Sequence, residues 1–256
     1  MKKAKKPKIL YFDIETTPLK AYIWRLGEQR VGHNQLMSDG YMYDVICITY
    51  CWNDGKPAKA LHWGYDAQDS APMFKKFDEL IKRADIVIGK NSDRFDNKHI
   101  NVHRLLKGHE AMPDWTKYTD DLEKQMRRHF ALPSYSLDYF SRLLGIGGKI
   151  KMEFQDWIDI VEKKSRVSFR KMLSYGKKDI EDTRKLWEYC ERHFRLKHNI
   201  AAILGEQGCT TCGSKNISKN GTRVLGTTKY QRFFCNDHGG YAGKSPISKP
   251  DNQLRF

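Results

Sequence analysis

The chain has 256 residues, 39% hydrophobic and 30% charged, enough apolar material for one α/β domain of ordinary size with something small attached, and too much for wholesale disorder. Lysine and arginine outnumber aspartate and glutamate 46 to 31, a formal charge of +15, and with 12% aromatics this excess points to a polyanionic partner rather than to solubility charge alone. No apolar run approaches the roughly 20 residues that span a bilayer, no signal-peptide segment follows the basic start, and six unevenly spread cysteines make no disulfide scaffold, so a cytoplasmic setting is expected.

The first element lies in the stretch from Ile9 to Pro18, read as a buried strand with Pro18 just beyond it marking where pairing stops. Its side chains alternate, so Asp13 and Glu15 share one side about 7 Å apart while Phe12 and Ile14 pack on the other. Paired carboxylates on an apolar strand repel, and a cation between them relieves this. Residues 19–43 read as a long loop with a helical turn. Val45 to Trp52 and Ala58 to Trp63 flank the turn Asn53-Asp54-Gly55-Lys56-Pro57 and form an antiparallel hairpin. Helical spacing follows from Pro72 to Arg83, then a short buried strand over 85–89 and a helix from Asn97 to Leu106. Residues 115–121 offer one more strand. Leu122 to Phe130, Leu137 to Leu144, Phe154 to Val161 and Ser168 to Phe194 read as helices, with a Gly and Lys loop over 145–151. Cys47, Cys51 and Cys190 sit among apolar neighbours as core thiols. A hairpin followed by alternating strands and helices predicts an α/β fold, a ribonuclease-H-like mixed sheet flanked by helices.

Two further acids stand out. Asp96 ends Asn91-Ser92-Asp93-Arg94-Phe95-Asp96, just past a strand end, and read alone it serves equally as the N-cap of the next helix or as a functional group. Tyr175 and Asp179 lie four apart on one helical face, an arrangement that is often structural. Lys163, Lys164, Arg166, Arg170, Lys171, Lys177 and Lys178 crowd this helix, and Lys149 and Lys151 the glycine loop; each set reads either as a solvated face or as a track for a nucleic-acid backbone.

Together, Asp-x-Glu on the first strand, Asn-x-x-x-Phe-Asp after a later one and Tyr-x-x-x-Asp on a late helix resemble the DEDD superfamily of 3′→5′ exonucleases over residues 8–194. The position five before the last acid is Ser174 rather than histidine, which matches the tyrosine branch. The stretches from Phe12 to Trp24 and from Leu132 to Tyr139 are similar to DnaQ-like exonucleases encoded by bacteriophages. The resemblance implies that Asp13, Glu15, Asp96 and Asp179 hold two Mg²⁺ or Mn²⁺ ions. It also implies that Tyr175 assists the attacking water, and that nucleoside 5′-monophosphates leave one at a time from a DNA 3′ end, single-stranded DNA being the expected substrate and RNA an alternative. A phage-encoded enzyme would work in the bacterial host cytoplasm. The rival is a catalytically idle nucleic-acid-binding or recombination accessory protein.

Near the C-terminus, Cys209-Thr-Thr-Cys212 and, twenty-two residues on, Cys235-Asn-Asp-His238 have zinc-ribbon spacing, three thiolates and an imidazole; the first half alone could be a redox pair. A unit this small needs one structural Zn²⁺ to fold. Strands are expected over 222–225 and 230–234. The ribbon resembles those of transposases and other nucleic-acid proteins, and Arg223, Lys229 and Arg232 would grip nucleic acid, unless the ribbon docks a protein partner instead. The expected boundaries are residues 1–204 for the exonuclease-like domain, 205–242 for the ribbon and 243–256 for a flexible tail.

Overall fold

The computed structural model of the chain describes residues 6–28, 30–40, 42–111, 119–147, 150–194 and 198–247. Two compact units emerge: Lys8–Glu191, and the described residues from Arg192 onward together with Lys6 and Pro7.

The first unit is built on a five-stranded sheet, order β3-β2-β1-β4-β5: β1 (Ile9–Thr16), β2 (Val45–Trp52), β3 (Lys59–His62), β4 (Ile86–Gly89) and β5 (Thr119–Asp121). β2 runs antiparallel to both β1 and β3, whereas β1, β4 and β5 are parallel. This mixed sheet with flanking helices is the ribonuclease-H-like arrangement. β1 is central because it is apolar on both faces near its start: Leu10, Tyr11 and Phe12 are all buried. Leu10, Phe12 and Ile14 pack with Phe77, Leu80 and Ile81 of α1 (Ala71–Arg83) and Ile100 of α2 (Asp96–Leu106). The rings of Phe12 and Phe77 lie 5.3 Å apart, and each such buried side chain is worth about 1.5–3 kcal/mol.

α3 (Leu122–His129), α4 (Leu137–Leu143) and α5 (Phe154–Glu162) lead to α6 (Arg166–Cys190), a 25-residue helix about 37 Å long. Ser165 caps it by accepting the Ser168 N–H. Phe169, Met172 and Leu173 pack with Ile160 of α5 and with Ile46 and Cys47 of β2. Gly176 interrupts α6 at a cost of about 1 kcal/mol relative to alanine. The reason is a close approach: a Cβ there would stand 2.8 Å from Thr49 Cγ2 and 3.6 Å from Glu15 Oε1. The glycine lets α6 lie against the face of β1 that carries Asp13 and Glu15.

The described residues of 19–43 form the expected loop, with a 3-10 turn at His33–Gln35. Of the strand expected over 115–121, residues 115–118 lie outside the described residues and Thr119–Asp121 form β5. Among the described residues no helix is long and apolar enough to cross a membrane.

The second unit holds α7 (Ile200–Ile203) and an antiparallel meander of β6 (Ile217–Leu225), β7 (Thr228–Cys235) and β8 (Gly240–Pro246). It begins before the expected boundary at 204 because α7 is tied to the ribbon: the Ile200 N–H bonds the Thr210 carbonyl at 2.8 Å. The expected tail is also shortened, since residues 243–246 pair with β7 as the end of β8. Its core is minute. Cys209, Cys235 and Ala242 are buried, with Cys212, Ile217 and Phe233 packed around them.

Candidate active site and metal centre

β1 outruns β4: their pairing covers only Ile9 to Tyr11 against Ile86 to Ile88, so Asp13 and Glu15 project past the end of β4. The loop there turns sharply at Asn91, whose φ of +60° is tolerated by asparagine better than by most residues. Asp121 holds this loop. Its carboxylate accepts the N–H groups of Asn91 (3.0 Å) and Asp93 (3.2 Å) while capping α3 through Glu123 (2.9 Å) and Lys124 (3.2 Å).

The pinned loop delivers Asp96, 2% exposed, to the cluster. Asp96 is not the cap of its own helix; its Oδ1 accepts the Ile14 N–H of β1 at 3.0 Å. From the other side, Tyr175 and Asp179 come one turn apart on α6. Asp13, Glu15, Asp96, Tyr175 and Asp179 thus line one cavity of about 300 Å³. Burial drives the Asp13 carboxyl well above the usual range, and the charges of Asp96, Glu15 and Asp179 push it further. Burial likewise lifts Asp96 to about 7, against hydrogen bonds from Ile14 N–H and Asp13 that favour its charged form. The Tyr175 phenol is raised by burial, then by Asp179 and Glu15. Three neighbouring carboxylates thus raise the proton affinity of Asp13, and the four acids together form a hard oxygen donor set, suited to divalent cations of the Mg²⁺ and Mn²⁺ kind.

Sequence reasoning missed Lys90 and Asp138 at this cavity. Lys90 lines it, its Nζ 2.9 Å from Glu123 Oε2, and its charge acts on Asp13 to favour the ionised form. Asp138 lines it too, from the α4 segment. Asp182 also faces it but is paired with Lys178, one turn back on α6. Glu181 points elsewhere, accepting the Ala58 N–H at 2.9 Å.

Of the candidate nucleic-acid contacts, Lys178 is therefore occupied within the protein, and so are others: Lys171 pairs with Asp156 at 2.5 Å, Arg166 with Asp66 at 2.9 Å and Lys151 with Glu153 at 2.7 Å. Arg170 is exposed and Lys177 half-buried; Lys149 lies outside the described residues. Arg223 and Arg232 line a cleft of the second unit, whereas Lys229 does not.

The ligand atoms of Cys209, Cys212, Cys235 and His238 all lie within 4.8 Å of one another. His238 Nδ1 is 3.5 Å from the sulfurs of both Cys209 and Cys212, and the sulfurs of Cys212 and Cys235 are 3.6 Å apart. A tetrahedral zinc ion with ordinary bond lengths requires separations of about 3.6 Å for N···S and about 3.8 Å for S···S. The cluster fits. Within the cluster, burial opposes ionisation of Cys235 but the backbone N–H groups of His238 and Asp237 and the neighbouring thiols lower its pKa, while burial and its own neighbouring thiols push Cys212 up to about 12. Asp237, bonded to the Ser214 hydroxyl and to Asn216 Nδ2 at 2.7 Å, fixes the turn that presents His238. These four residues could bind a zinc ion, and the redox reading of Cys209 and Cys212 ignores two of them.

No protein-family model and no curated protein matches the chain. A family B DNA polymerase shares the fold. That enzyme, from the hyperthermophilic archaeon Pyrobaculum calidifontis, superposes with a TM-score of 0.55 at 14% identity. The match takes in 73% of this chain but 25% of the polymerase, so this chain corresponds to about a quarter of that protein's length.

Proposed function

We propose that this chain is a two-metal 3′→5′ exonuclease of the DnaQ-like, tyrosine-bearing type, releasing nucleoside 5′-monophosphates from the 3′ end of DNA. The observation that carries this reading is the convergence of Asp13, Glu15, Asp96, Asp179 and Tyr175 on one cavity, from three segments far apart in sequence. A fold shared with part of a DNA polymerase supports it, and so does the +15 charge.

Asp13, Glu15, Asp96 and Asp179 would hold two Mg²⁺ or Mn²⁺ ions. When bound, such ions activate water and neutralise charge developing on phosphate oxygens. The chain's own residues do the rest. The Ile14 N–H orients the Asp96 carboxylate. Tyr175 keeps its proton, because burial and Asp179, which accepts its hydroxyl, raise its pKa; with Asp179 engaged by a cation, that hydroxyl would become the donor to the attacking water. Lys90, paired with Glu123, lines the cavity and favours the ionised form of Asp13, the form that would hold a cation. Phe95, 38% exposed at the cavity, offers an apolar face to a terminal base. Buried free Cys47, Cys51 and Cys190 suit a reducing cytoplasm.

The rival, an idle nucleic-acid-binding or recombination accessory protein, leaves the retention of all four acids and the tyrosine without a purpose. Purified protein with Mg²⁺ or Mn²⁺, given 5′-labelled DNA and RNA oligonucleotides in single- and double-stranded form, decides between them. Stepwise shortening from the 3′ end, with mononucleotide product, is expected on DNA. Uncut substrate with both metals would hand the case to the rival.

A further inference from the structure

The second unit contains a cleft of about 710 Å³ whose walls include Arg192, Arg223, Arg232, Lys244 and Tyr241, together with His238 of the candidate metal cluster. Among the described residues its lining includes no carboxylate. The ion pair described in this unit, Lys215 with Glu206 at 3.0 Å, lies outside the cleft.

Strand register concentrates the charge. Arg232 of β7 stands directly opposite Lys244 of β8, and like charges in that position destabilise a sheet. Across the other edge of β7, Arg223 is paired with Tyr230, two residues from Arg232 and on the same face. Rings fill the gaps between the cations: the Arg232 guanidinium sits 5.9 Å from the centre of the Tyr241 ring, and Lys244 Nζ 4.4 Å from that of Tyr230. Tyr241 remains 48% exposed.

We propose that this cleft binds single-stranded nucleic acid, with backbone phosphates on Arg223, Arg232 and Lys244 and an unpaired base stacked on Tyr241. Crowded cations without a balancing acid call for a polyanion, and a half-exposed ring set among them gives a base a surface that an acidic peptide has no use for. Lys229 is excluded: strand alternation puts it on the face of β7 opposite Arg232. The inference rests on the reading of this chain as one that handles nucleic acid, but not on cleavage.

The test is fluorescence anisotropy of a labelled single-stranded oligonucleotide with the full chain carrying Asp13→Ala, zinc-loaded and free of Mg²⁺ and Mn²⁺, so that chemistry plays no part. The doubly substituted Arg223→Ala, Arg232→Ala protein should bind at least about tenfold more weakly, with a salt dependence shallower by about 0.7 per cation removed. Tyr241→Ala should cost about fivefold or more, and Lys229→Ala less than about twofold. Zinc content reports whether each variant keeps its ribbon. Photocrosslinking of a 5-bromouracil oligonucleotide to the unsubstituted cleft, mapped by mass spectrometry, should label the peptide containing Tyr241. Unaltered affinity in the cleft variants, crosslinks confined to the first unit, or displacement of the oligonucleotide by polyglutamate at equal charge concentration would each overturn the proposal.

Discussion

Two clefts of this protein crowd charges of opposite sign. In the first unit Asp13, Glu15, Asp96 and Asp179, with Asp138 and Asp182 beside them, line a cavity of about 300 Å³; in the second, three arginines and a lysine line one of about 710 Å³. Neither arrangement is favourable by itself, but the relief differs. A buried carboxylate can take a proton, and the raised pKa values of Asp13 and Asp96 show that response. A guanidinium cannot lose its proton, so an arginine cluster must stay open to water and counterions. The acidic site is therefore a place where divalent cations compete with protons, and the basic site one where a polyanion competes with salt.

The sharpest way to separate the two is to take the zinc away. A chelator, or Cys212→Ser, should unfold β6 to β8, because ion binding worth about 10 kcal/mol replaces a core of three buried residues. Thiol titration should then expose Cys209 and Cys235 while Cys47, Cys51 and Cys190 stay protected. Continued protection of Cys209 and Cys235 would mean that the ribbon holds without metal.

In the acidic cleft, Asp13→Ala should lower the rate of mononucleotide release at least about a thousandfold, since it removes the most crowded carboxylate from the ion-holding set. A loss below tenfold would place the chemistry elsewhere.

Competition with protons fixes the sign of a pH effect. For Asp96 the folded-state pKa, about 7, lies above the ordinary value near 4. The stability it contributes in the metal-free protein is complete below the unfolded value and is lost as pH rises through 7. Mg²⁺ at a hundredfold excess over its Kd should add about 2.7 kcal/mol, roughly 5–10 °C in Tm. That gain should be larger at pH 8 than at pH 5, and an equal gain would show that protons and metal do not share the site.

Gly176→Ala should give the smallest effect. The added methyl must push α6 off Thr49, costing about 1–3 kcal/mol, partly offset by better helix propensity. Tm should drop by a few degrees, roughly 3 °C per kcal/mol, and activity should fall because Tyr175 and Asp179 ride on that helix. An unchanged Tm would mean that the helix shifts freely there.

Much of this was legible in the sequence, for local reasons. Alternation on β1 put Asp13 and Glu15 on one side, helical spacing joined Tyr175 to Asp179, and paired Cys-x-x-Cys and Cys-x-x-His carried the metal cluster. What escaped was decided by partners distant in sequence. Arg166 is matched by Asp66 and Lys171 by Asp156, so a run of cations that looked available is largely neutralised. Lys90 reads as an ordinary strand-end lysine until the fold turns it toward the acids. The opposite faces of Arg232 and Lys229 follow from a period of two and could have been read beforehand; the confrontation of Arg232 with Lys244 needed the register of β8.

The bond from the Ile14 N–H to Asp96 ties architecture to chemistry. Where β4 stops, β1 has no further parallel neighbour, and a carboxylate from the next helix serves as the missing rung. The acid that would grip a cation is thus a fastener of the central strand, so alanine in its place would confound a broken scaffold with a silenced reaction. The neutral amide isostere asparagine keeps an oxygen for that rung while giving up the charge, which makes it the substitution that tells the two apart.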